Sequence, residues 1–244
     1  MTITFSGGMT VTGGGFTAAG LNLLQVVDQV SGNVLTLPTG VSVSTAVTQT
    51  GTTSSILFGG TSTAYLPYSS ANVAVLPITI EYWVYPTDLT AGCQPIYMVQ
   101  NADGTGSSYG VTFQAGGGGL GASVYNGSSG SSIGTYSIST LNTWTYIVMQ
   151  VSANTMDIWV NGTHIFATYP TSSFVFGPGT DTQSAYNNLE IGGYNGLNSN
   201  RFNGYMGQVR LSSGARYSGQ TITIPSSPLT VDGTTVALIQ SVVK

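Results

Sequence analysis

Short runs of β-branched and aromatic residues, each ended by glycine, Asn-Gly or proline, recur along most of this 244-residue chain. Thr, Val, Ile and Tyr fit a pleated strand, whereas the good helix formers Glu, Lys and Arg are scarce. Glycine and Asn-Gly end strands because they adopt positive φ in tight turns. More than ten such runs, with no helices between them, predict an all-β sandwich or barrel.

The Asn161-Gly162 pair gives the strongest local signal. It separates two apolar runs, and a type I′ turn needs positive φ at both central positions, so a β-hairpin is predicted here. The other predicted strands are bounded by similar turn residues. The predicted strands lie at residues 55–58, 64–66, 78–85, 96–99, 109–113, 121–125, 144–151, 155–160, 163–166, 189–193, 202–211, 229–231 and 235–239.

The first 52 residues differ from the rest. Alternating stretches at 2–5 and 9–12 are followed by three consecutive glycines, and the segment is too small to bury a core of its own. Residues 18–30 carry apolar side chains at three-residue spacing, which fits a short helix and a buried strand equally well. We predict a small β-rich attachment or oligomerisation segment at 1–52 and a main domain at 53–244. A chain starting near Thr53 is then expected to fold as a monomer.

Charged residues make up only 5% of the chain, and its polarity comes from Ser, Thr, Asn, Gln and 34 glycines. The net charge of −4 offers no basic surface for nucleic acid. No apolar run approaches the ~18–20 residues of a membrane-spanning helix, so no membrane insertion is expected. The first basic residue is Arg201, so we expect no signal peptide. The single cysteine, Cys93, excludes an internal disulfide.

Six sequence elements follow one another between residues 54 and 219. They are ILFGG at 56–60 with YL at 65–66, IEYWVYP at 80–86, NTWTY at 142–146, IWVNG at 158–162, LEIGG at 189–193, and FNGYMGQVRL at 202–211 with ARYSG at 215–219. In this order they resemble the laminin G-like branch of the concanavalin A-like lectins and glucanases. The resemblance implies a two-sheet antiparallel jelly-roll sandwich. We expect its core to contain Trp83, Trp144, Ile158 and Val209.

The last element, followed by Pro225, is most similar to copies found in structural proteins of tailed bacteriophages. This resemblance implies a virion surface protein, namely a capsid decoration protein, head fibre or tail fibre component made in the host cytoplasm. The expected partners are other virion proteins, identical copies in a homo-oligomer (a trimer by analogy with phage fibres) and host-surface glycans. A nearly uncharged surface fits this class because it responds little to ionic strength. The alternative is a free-standing secreted or cell-surface carbohydrate-binding module.

Glycanases of this fold place two carboxylates on one strand face, as nucleophile and acid. No two of the eight acidic residues lie within three positions of each other, and Glu81 has Thr79 and Trp83 where a second acid would be needed. The one histidine, His164, follows the predicted hairpin turn and is interpreted as a hairpin residue. We therefore expect no enzyme activity and no catalytic residues.

Arg210 lies within an apolar predicted strand, and Arg216 lies beside a tyrosine. In a chain this poor in charge, a half-buried arginine needs a carboxylate or several carbonyl groups around it. The resemblance places the strand of Arg210 beside that of Glu81. We therefore predict a structural ion pair of Glu81 with Arg210 or Arg216.

Two kinds of ligand site remain. Laminin G-like domains often hold a calcium ion at the rim, for which Asp103 and Asp181 are the candidate ligands. Asp103-Gly104 also fits a plain turn, which we favour, and we expect no metal or other cofactor. Glycans are held by aromatic faces and neutral amides, although Asn-rich loops also fit ordinary turns. The candidate glycan site comprises Tyr186, Asn187, Asn188, Tyr194, Asn195 and Arg201.

Overall fold

The computed structural model describes six stretches of the chain in full, together with Ile96, and the backbone path of further strands. The full stretches are residues 24–59, 77–88, 140–152, 155–165, 191–193 and 202–243. The backbone alone is described at residues 2–4, 10–12, 66–69, 93–99 apart from Ile96, 107–114, 119–126, 130–137, 166–168 and 188–190.

Strands alone make up the regular structure of these residues, and no helix that could cross a membrane occurs among them. The strands are β1 Thr2–Thr4, β2 Thr10–Thr12, β3 Leu24–Asp28, β4 Val34–Leu35, β5 Val41–Ser44, β6 Ser55–Gly59, β7 Leu66–Ser69, β8 Ile78–Pro86, β9 Cys93–Val99, β10 Ser107–Gln114, β11 Gly119–Asn126, β12 Gly130–Ser137, β13 Thr145–Val151, β14 Met156–Val160, β15 Thr163–Thr168, β16 Asn188–Ile191, β17 Asn203–Ser213 and β18 Thr235–Val243.

Two antiparallel sheets form the sandwich, as the sequence predicts. The ten-stranded sheet has the order β15-β14-β13-β8-β17-β18-β3-β4, with β5 and β6 branching from β17, and the six-stranded sheet has the order β12-β11-β10-β9-β16-β7. The branch arises at an irregularity in β17 between Met206 and Val209. Before it β17 pairs with β6, and after it β17 pairs with β18. Strands β1 and β2 pair with each other in a separate two-stranded sheet.

The core lies between the two sheets because strand residues alternate between the faces. Ile78, Ile80 and Val84 of β8 are buried in one cluster with Ile96 of β9 and Ile191 of β16. Burying an aliphatic side chain of this size contributes roughly 1.5–3 kcal/mol, so this cluster dominates the stability of the sandwich.

The sheets approach closely at Gly192, directly after β16. Its φ is +87°, and a Cβ atom there would lie 2.3 Å from the ring of Phe58. Phe58 packs edge-on against Phe202, with ring centroids 6.1 Å apart. Glycine at position 192 therefore meets both a backbone and a packing requirement.

The prediction for the core is half right. Ile158 and Val209 are buried in it, with exposed fractions of 0% and 1%. Trp83 and Trp144 are only half-buried and belong to the opposite, outer face of the ten-stranded sheet. Trp83 alternates with inward-facing Tyr82, so the strand geometry itself directs the indole away from the core.

Residues 24–52 are built into the sandwich. β3 pairs with β18 and β5 pairs with β6, while Val26 and Val41 are buried in the main core. The described part of the 18–30 stretch is thus a strand rather than a helix. Core residues therefore precede Thr53 in the sequence. A chain that starts at Thr53 would lack part of the core, so we no longer expect it to fold as a monomer.

The predicted hairpin is confirmed. Asn161 has a φ of 46° and Gly162 a φ of 80°, and they connect β14 to β15. These are the positive values that a type I′ turn requires.

Candidate functional site

Residues 214–234, which we call the strap, connect β17 to β18 and run across the outer face of the ten-stranded sheet. The strap is attached to the β14–β15 hairpin by backbone hydrogen bonds from Ile222 N to Gly162 O and from His164 N to Gln220 O, at 2.8 and 2.9 Å. The indole of Trp159 donates to Gly219 O at 3.0 Å. The strap therefore covers part of the outer sheet face and forms a second, smaller core there.

The predicted strand at 229–231 is not formed, because its backbone bonds to side chains instead. Leu229 N donates to Gln208 Oε1 at 2.5 Å, and Gln208 Nε2 donates back to Leu229 O at 3.0 Å. Thr230 O accepts from Arg210 Nη1 at 2.9 Å. Side chains of β17 thus replace the strand partner that this part of the strap lacks.

Glu81 lies beneath the strap and is fully buried. The register of β8 and β17 places Arg210 directly beside it on the same face. Glu81 Oε1 accepts hydrogen bonds from Arg210 Nη2 at 2.8 Å, Tyr146 OH at 2.8 Å and Tyr217 OH at 3.1 Å. A buried carboxylate needs such partners to remain charged, and here β13, β17 and the strap each supply one.

Four ionised side chains, which we call the charge cluster, form a closed ring: Glu81, Arg210, Asp232 and Arg216. Arg216 Nε lies 3.4 Å from Glu81 Oε2, an ionic contact without hydrogen-bond geometry. Arg216 Nη2 donates to Asp232 Oδ2 at 2.7 Å, and Arg210 Nη1 lies 3.8 Å from the same oxygen. Two positive and two negative charges alternate, so the ring carries no net charge.

Three groups in or beside the charge cluster have shifted pKa values. Burial, reinforced by the neighbouring charge of Glu81, raises the pKa of the Tyr146 hydroxyl above its ordinary value. The hydrogen bond from Arg216, followed by that from Thr234, holds the pKa of Asp232 well below its usual range. The hydrogen bond to Asp232 in turn raises the pKa of Arg216. Tyr146 is therefore a hydrogen-bond donor at neutral pH, and Asp232 is ionised.

This arrangement restricts what Glu81 can do chemically. The strap covers the carboxylate, and arginine side chains stand between it and Asp232. Retaining and inverting glycosidases need two carboxylates that both face the scissile bond. Glu81 and Asp232 do not present such a pair, and their contacts match the predicted structural ion pair, extended to both arginines.

His164 forms a separate pair beside the strap. Its Nε2 lies 3.0 Å from Asp157 Oδ1, and its ring lies 4.8 Å from that of Trp159. The position agrees with its interpretation as a hairpin residue at the start of β15. Tyr217 of the strap also packs against Trp159, with ring centroids 6.2 Å apart.

The predicted ligand sites fall almost wholly outside the described residues. This holds for Tyr186, Asn187, Tyr194, Asn195 and Arg201 of the glycan site and for Asp103 and Asp181 of the calcium site, while Asn188 is described only as the first backbone residue of β16. These sites remain predictions. Within the described stretches no group of three His, Cys, Asp or Glu side chains could hold a metal ion.

The outer face ends in a row of aromatic side chains that was not predicted from the sequence. Trp144, Tyr85 and Tyr205, which we call the aromatic row, come from three adjacent strand ends. The ring centroids of Tyr85 lie 5.4 Å from Trp144 and 5.8 Å from Tyr205. Tryptophan and tyrosine in a strand are as typical of a core position as of a surface position. The sequence also does not show which face of the sheet these residues lie on.

Several solved structures have a similar fold. Domain 4 of an extracellular arabinanase from Geobacillus stearothermophilus, in complex with arabinotriose, is 13% identical with a TM-score of 0.56, covering 81% of this chain and 85% of that chain. The enzymatically active domain of tailspike protein 2 from bacteriophage CBA120 is 11% identical with a TM-score of 0.51, covering 81% of this chain but only 30% of that chain.

A third structure is the CBM40 of the Ruminococcus gnavus IT-sialidase, bound to α2,3-sialyllactose. It is 13% identical, with a TM-score of 0.50, and the match covers 64% of this chain and 88% of that chain. Among curated protein sequences none matches the chain. The model of the concanavalin A-like lectin/glucanases superfamily matches residues 58–223, which is more than half of the sequence. Together with the two-sheet antiparallel fold, this match shows that the chain belongs to the concanavalin A-like lectin/glucanases superfamily.

Proposed function

We propose that this chain is a non-enzymatic glycan-binding sandwich on the surface of a tailed-phage virion. One observation carries the non-enzymatic part. Glu81, the buried carboxylate on the outer sheet face, accepts hydrogen bonds from Arg210, Tyr146 and Tyr217 and is covered by the strap. A general acid or nucleophile needs access to its substrate, and this carboxylate has none.

Two of the similar structures support the glycan-binding part. The arabinanase domain was determined with arabinotriose and the CBM40 with sialyllactose. This chain matches each of them over most of its length. The composition of the chain agrees, because sugars are held by aromatic faces and neutral hydrogen-bonding groups. The chain has 14 tyrosines and 3 tryptophans but only 12 charged residues, as 4 basic and 8 acidic side chains.

The virion location is supported by other observations. The ARYSG ending at 215–219 resembles copies in phage structural proteins, and a phage tailspike domain shares the fold. A surface with little charge also allows many copies to pack closely with little electrostatic repulsion. Homo-oligomerisation, with a trimer as the first hypothesis, is part of this proposal.

The second candidate function is a free-standing secreted or cell-surface carbohydrate-binding module. It rests on the same sandwich, since the arabinanase domain and the CBM40 are matched over 85% and 88% of their lengths. The two candidates differ in where the protein is found and in its oligomeric state.

Two measurements test the proposal. The purified full-length protein is applied to an array of plant, animal and bacterial-surface glycans, and antibody labelling locates it on intact phage particles. We expect saturable binding to at least one glycan class and labelling of the particles. Glycan binding by a monomer that is absent from particles would favour the free-standing module, and the absence of glycan binding would contradict the lectin role.

A further inference from the structure

The aromatic row lies at the end of the outer sheet face, beside the loop before β6. Strand register pairs Tyr205 of β17 with Tyr85 of β8. Trp144 immediately precedes β13, where Thr145 pairs with Val84, so the indole adjoins Tyr85 from the other side. Three neighbouring chain segments thus each place one aromatic ring at the same level of the sheet.

The aromatic row is less buried than the residues beneath the strap. Glu81, Tyr146 and Arg210, which lie beneath the strap, have exposed fractions of 0%, 0% and 6%. All three rings of the aromatic row are half-buried. Large apolar side chains left partly open to water, side by side on neighbouring strands, are a common property of ligand-binding surfaces.

The rings are held in place before any ligand arrives. Trp144 Nε1 donates to Thr48 O at 2.9 Å, which fixes the indole against the loop before β6. Tyr205 packs edge-on against Tyr85, at an interplanar angle of 81°. Gly204 lets the strands approach here, since a Cβ atom on it would lie 2.3 Å from Tyr85 O. A rigid surface loses little conformational entropy on binding.

Neutral side chains that are able to form hydrogen bonds lie beside the aromatic row. Thr87 and Asn203 are bonded to each other at 3.3 Å next to Tyr85 and Tyr205. Asn142 is exposed beside Trp144. The basic side chains in the described stretches, Arg210 and Arg216, already contact Glu81 and Asp232 and are not available to an acidic sugar. Among the described residues, charge complementarity therefore favours an uncharged ligand over an acidic one.

We infer that the aromatic row formed by Trp144, Tyr85 and Tyr205 is a binding surface for neutral oligosaccharides, an inference that rests on the proposed glycan-binding function. The C–H faces of sugar rings would contact the aromatic faces. Sugar hydroxyls would bond to the neutral amides and hydroxyls at the rim. The site differs from the Asn-rich cluster that the sequence suggests around Tyr186.

The test compares affinities for a neutral and an acidic probe set. The neutral set contains arabinotriose, cellohexaose, maltohexaose and the neutral glycans of the array, and α2,3-sialyllactose is the acidic counter-probe. Affinities are measured for the full chain and for the variants Trp144→Ala, Tyr205→Ala, Tyr186→Ala and Ile224→Ala. Ile224 is the matched control because it is an exposed hydrophobic residue, 40% accessible, on the strap. Thermal unfolding confirms that each variant is folded, and Trp144→Phe replaces Trp144→Ala if the latter is not.

We expect the chain to bind a neutral probe, and Trp144→Ala and Tyr205→Ala each to weaken that binding by about tenfold or more, as truncation of an aromatic anchor does. Ile224→Ala should bind like the unaltered chain. If Tyr186→Ala loses binding while the aromatic-row variants keep it, the inference is overturned but the glycan-binding function stands. Preference for sialyllactose would also overturn it, and binding to no glycan would overturn both.

Discussion

At the scale of single residues, the charge cluster explains how a chain with 5% charged residues tolerates a fully buried glutamate. Isolating a carboxylate from water costs several kcal/mol unless charged donors replace the lost solvent. Here Arg210, Tyr146 and Tyr217 donate to one oxygen of Glu81, and Arg216 approaches the other. The cluster is therefore a structural connection between the sheet and the strap.

Removing Glu81 should strongly destabilise the protein. Glu81→Ala leaves Arg210 buried without its partner, so the free energy of unfolding should fall by ~3–5 kcal/mol in chemical denaturation. The control is Asp157→Ala, which removes a carboxylate that is 24% exposed in a peripheral pair and should cost less than about 1 kcal/mol. Equal, small losses for both variants would contradict the structural role of Glu81.

Asp232 should make part of the stability depend on pH. Its folded-state pKa lies below that of an unfolded aspartate, so its contribution is present above about pH 4 and is lost as pH falls further. At pH 7 the unaltered chain should be more stable than Asp232→Asn. The difference should shrink as the pH falls from about 4 to 2, in thermal unfolding followed at several pH values. A difference that stays constant over this range would show that Asp232 does not act through its charge.

The sequence predicted part of this cluster. The resemblance to the family placed the strands of Glu81 and Arg210 side by side, and the register confirms that these two strands pair. Asp232, Tyr146 and Tyr217 were not found. Asp232 and Tyr217 belong to the strap. The path of the strap depends on side-chain contacts rather than on strand alternation, so it cannot be predicted from a periodic pattern in the sequence.

At the scale of elements, the irregularity in β17 determines how the sheet and its covering segments meet. Gly207 lies at this point, and a Cβ atom on it would be 2.2 Å from Gln49 Oε1. That oxygen accepts a hydrogen bond from the backbone N of Gln208 at 3.2 Å. The side-chain amide of Gln208 donates to the backbone carbonyl of Leu229 in the strap. The loop before β6 and the strap are therefore both attached through one short stretch of β17.

Gly207→Ala should destabilise the protein by ~1–3 kcal/mol, because the added methyl group displaces the Gln49 amide from the Gln208 backbone. Combining it with Gln49→Ala should cost less than the sum of the two single changes, since the clash is then relieved. Gly233→Ala is the matched control, as no atom lies within 4 Å of a Cβ there. Additive losses in denaturant unfolding would argue against this contact.

Elements differed in how far the sequence could predict them. The Asn161-Gly162 hairpin was predicted because its turn chemistry is local. The strand expected at 229–231 did not form, since Gln208 and Arg210 satisfy its backbone groups from β17. Trp83 and Trp144 were assigned to the core because alternation identifies two faces but not which of them faces the second sheet.

For the whole molecule, residues 24–52, which the sequence assigns to the attachment segment, belong to the large sheet. Residues 24–52 supply β3, β4 and β5 to the large sheet, whereas β1 and β2 pair only with each other among the described strands. Any attachment or oligomerisation role of the N-terminus is therefore best tested by removing residues 1–23.

Two truncations should behave differently. A chain that begins at Leu24 should keep its strand content and unfold cooperatively, and on the attachment hypothesis it should be monomeric while the full chain is oligomeric. A chain that begins at Thr53 should lose cooperative unfolding, because it lacks β3, β5 and the core residues Val26 and Val41. Circular dichroism and light scattering measure both properties. Cooperative unfolding of the shorter chain would show that residues 24–52 are dispensable.

The proposed function requires that this sandwich binds an oligosaccharide without cleaving it. The most direct measurement is calorimetric titration of the full chain with its best array ligand, followed by chromatography of that ligand after prolonged incubation with the protein. We expect a saturable binding isotherm and a glycan recovered at its original length. Shorter glycan products that form with the intact protein would contradict it, as would a titration without any binding.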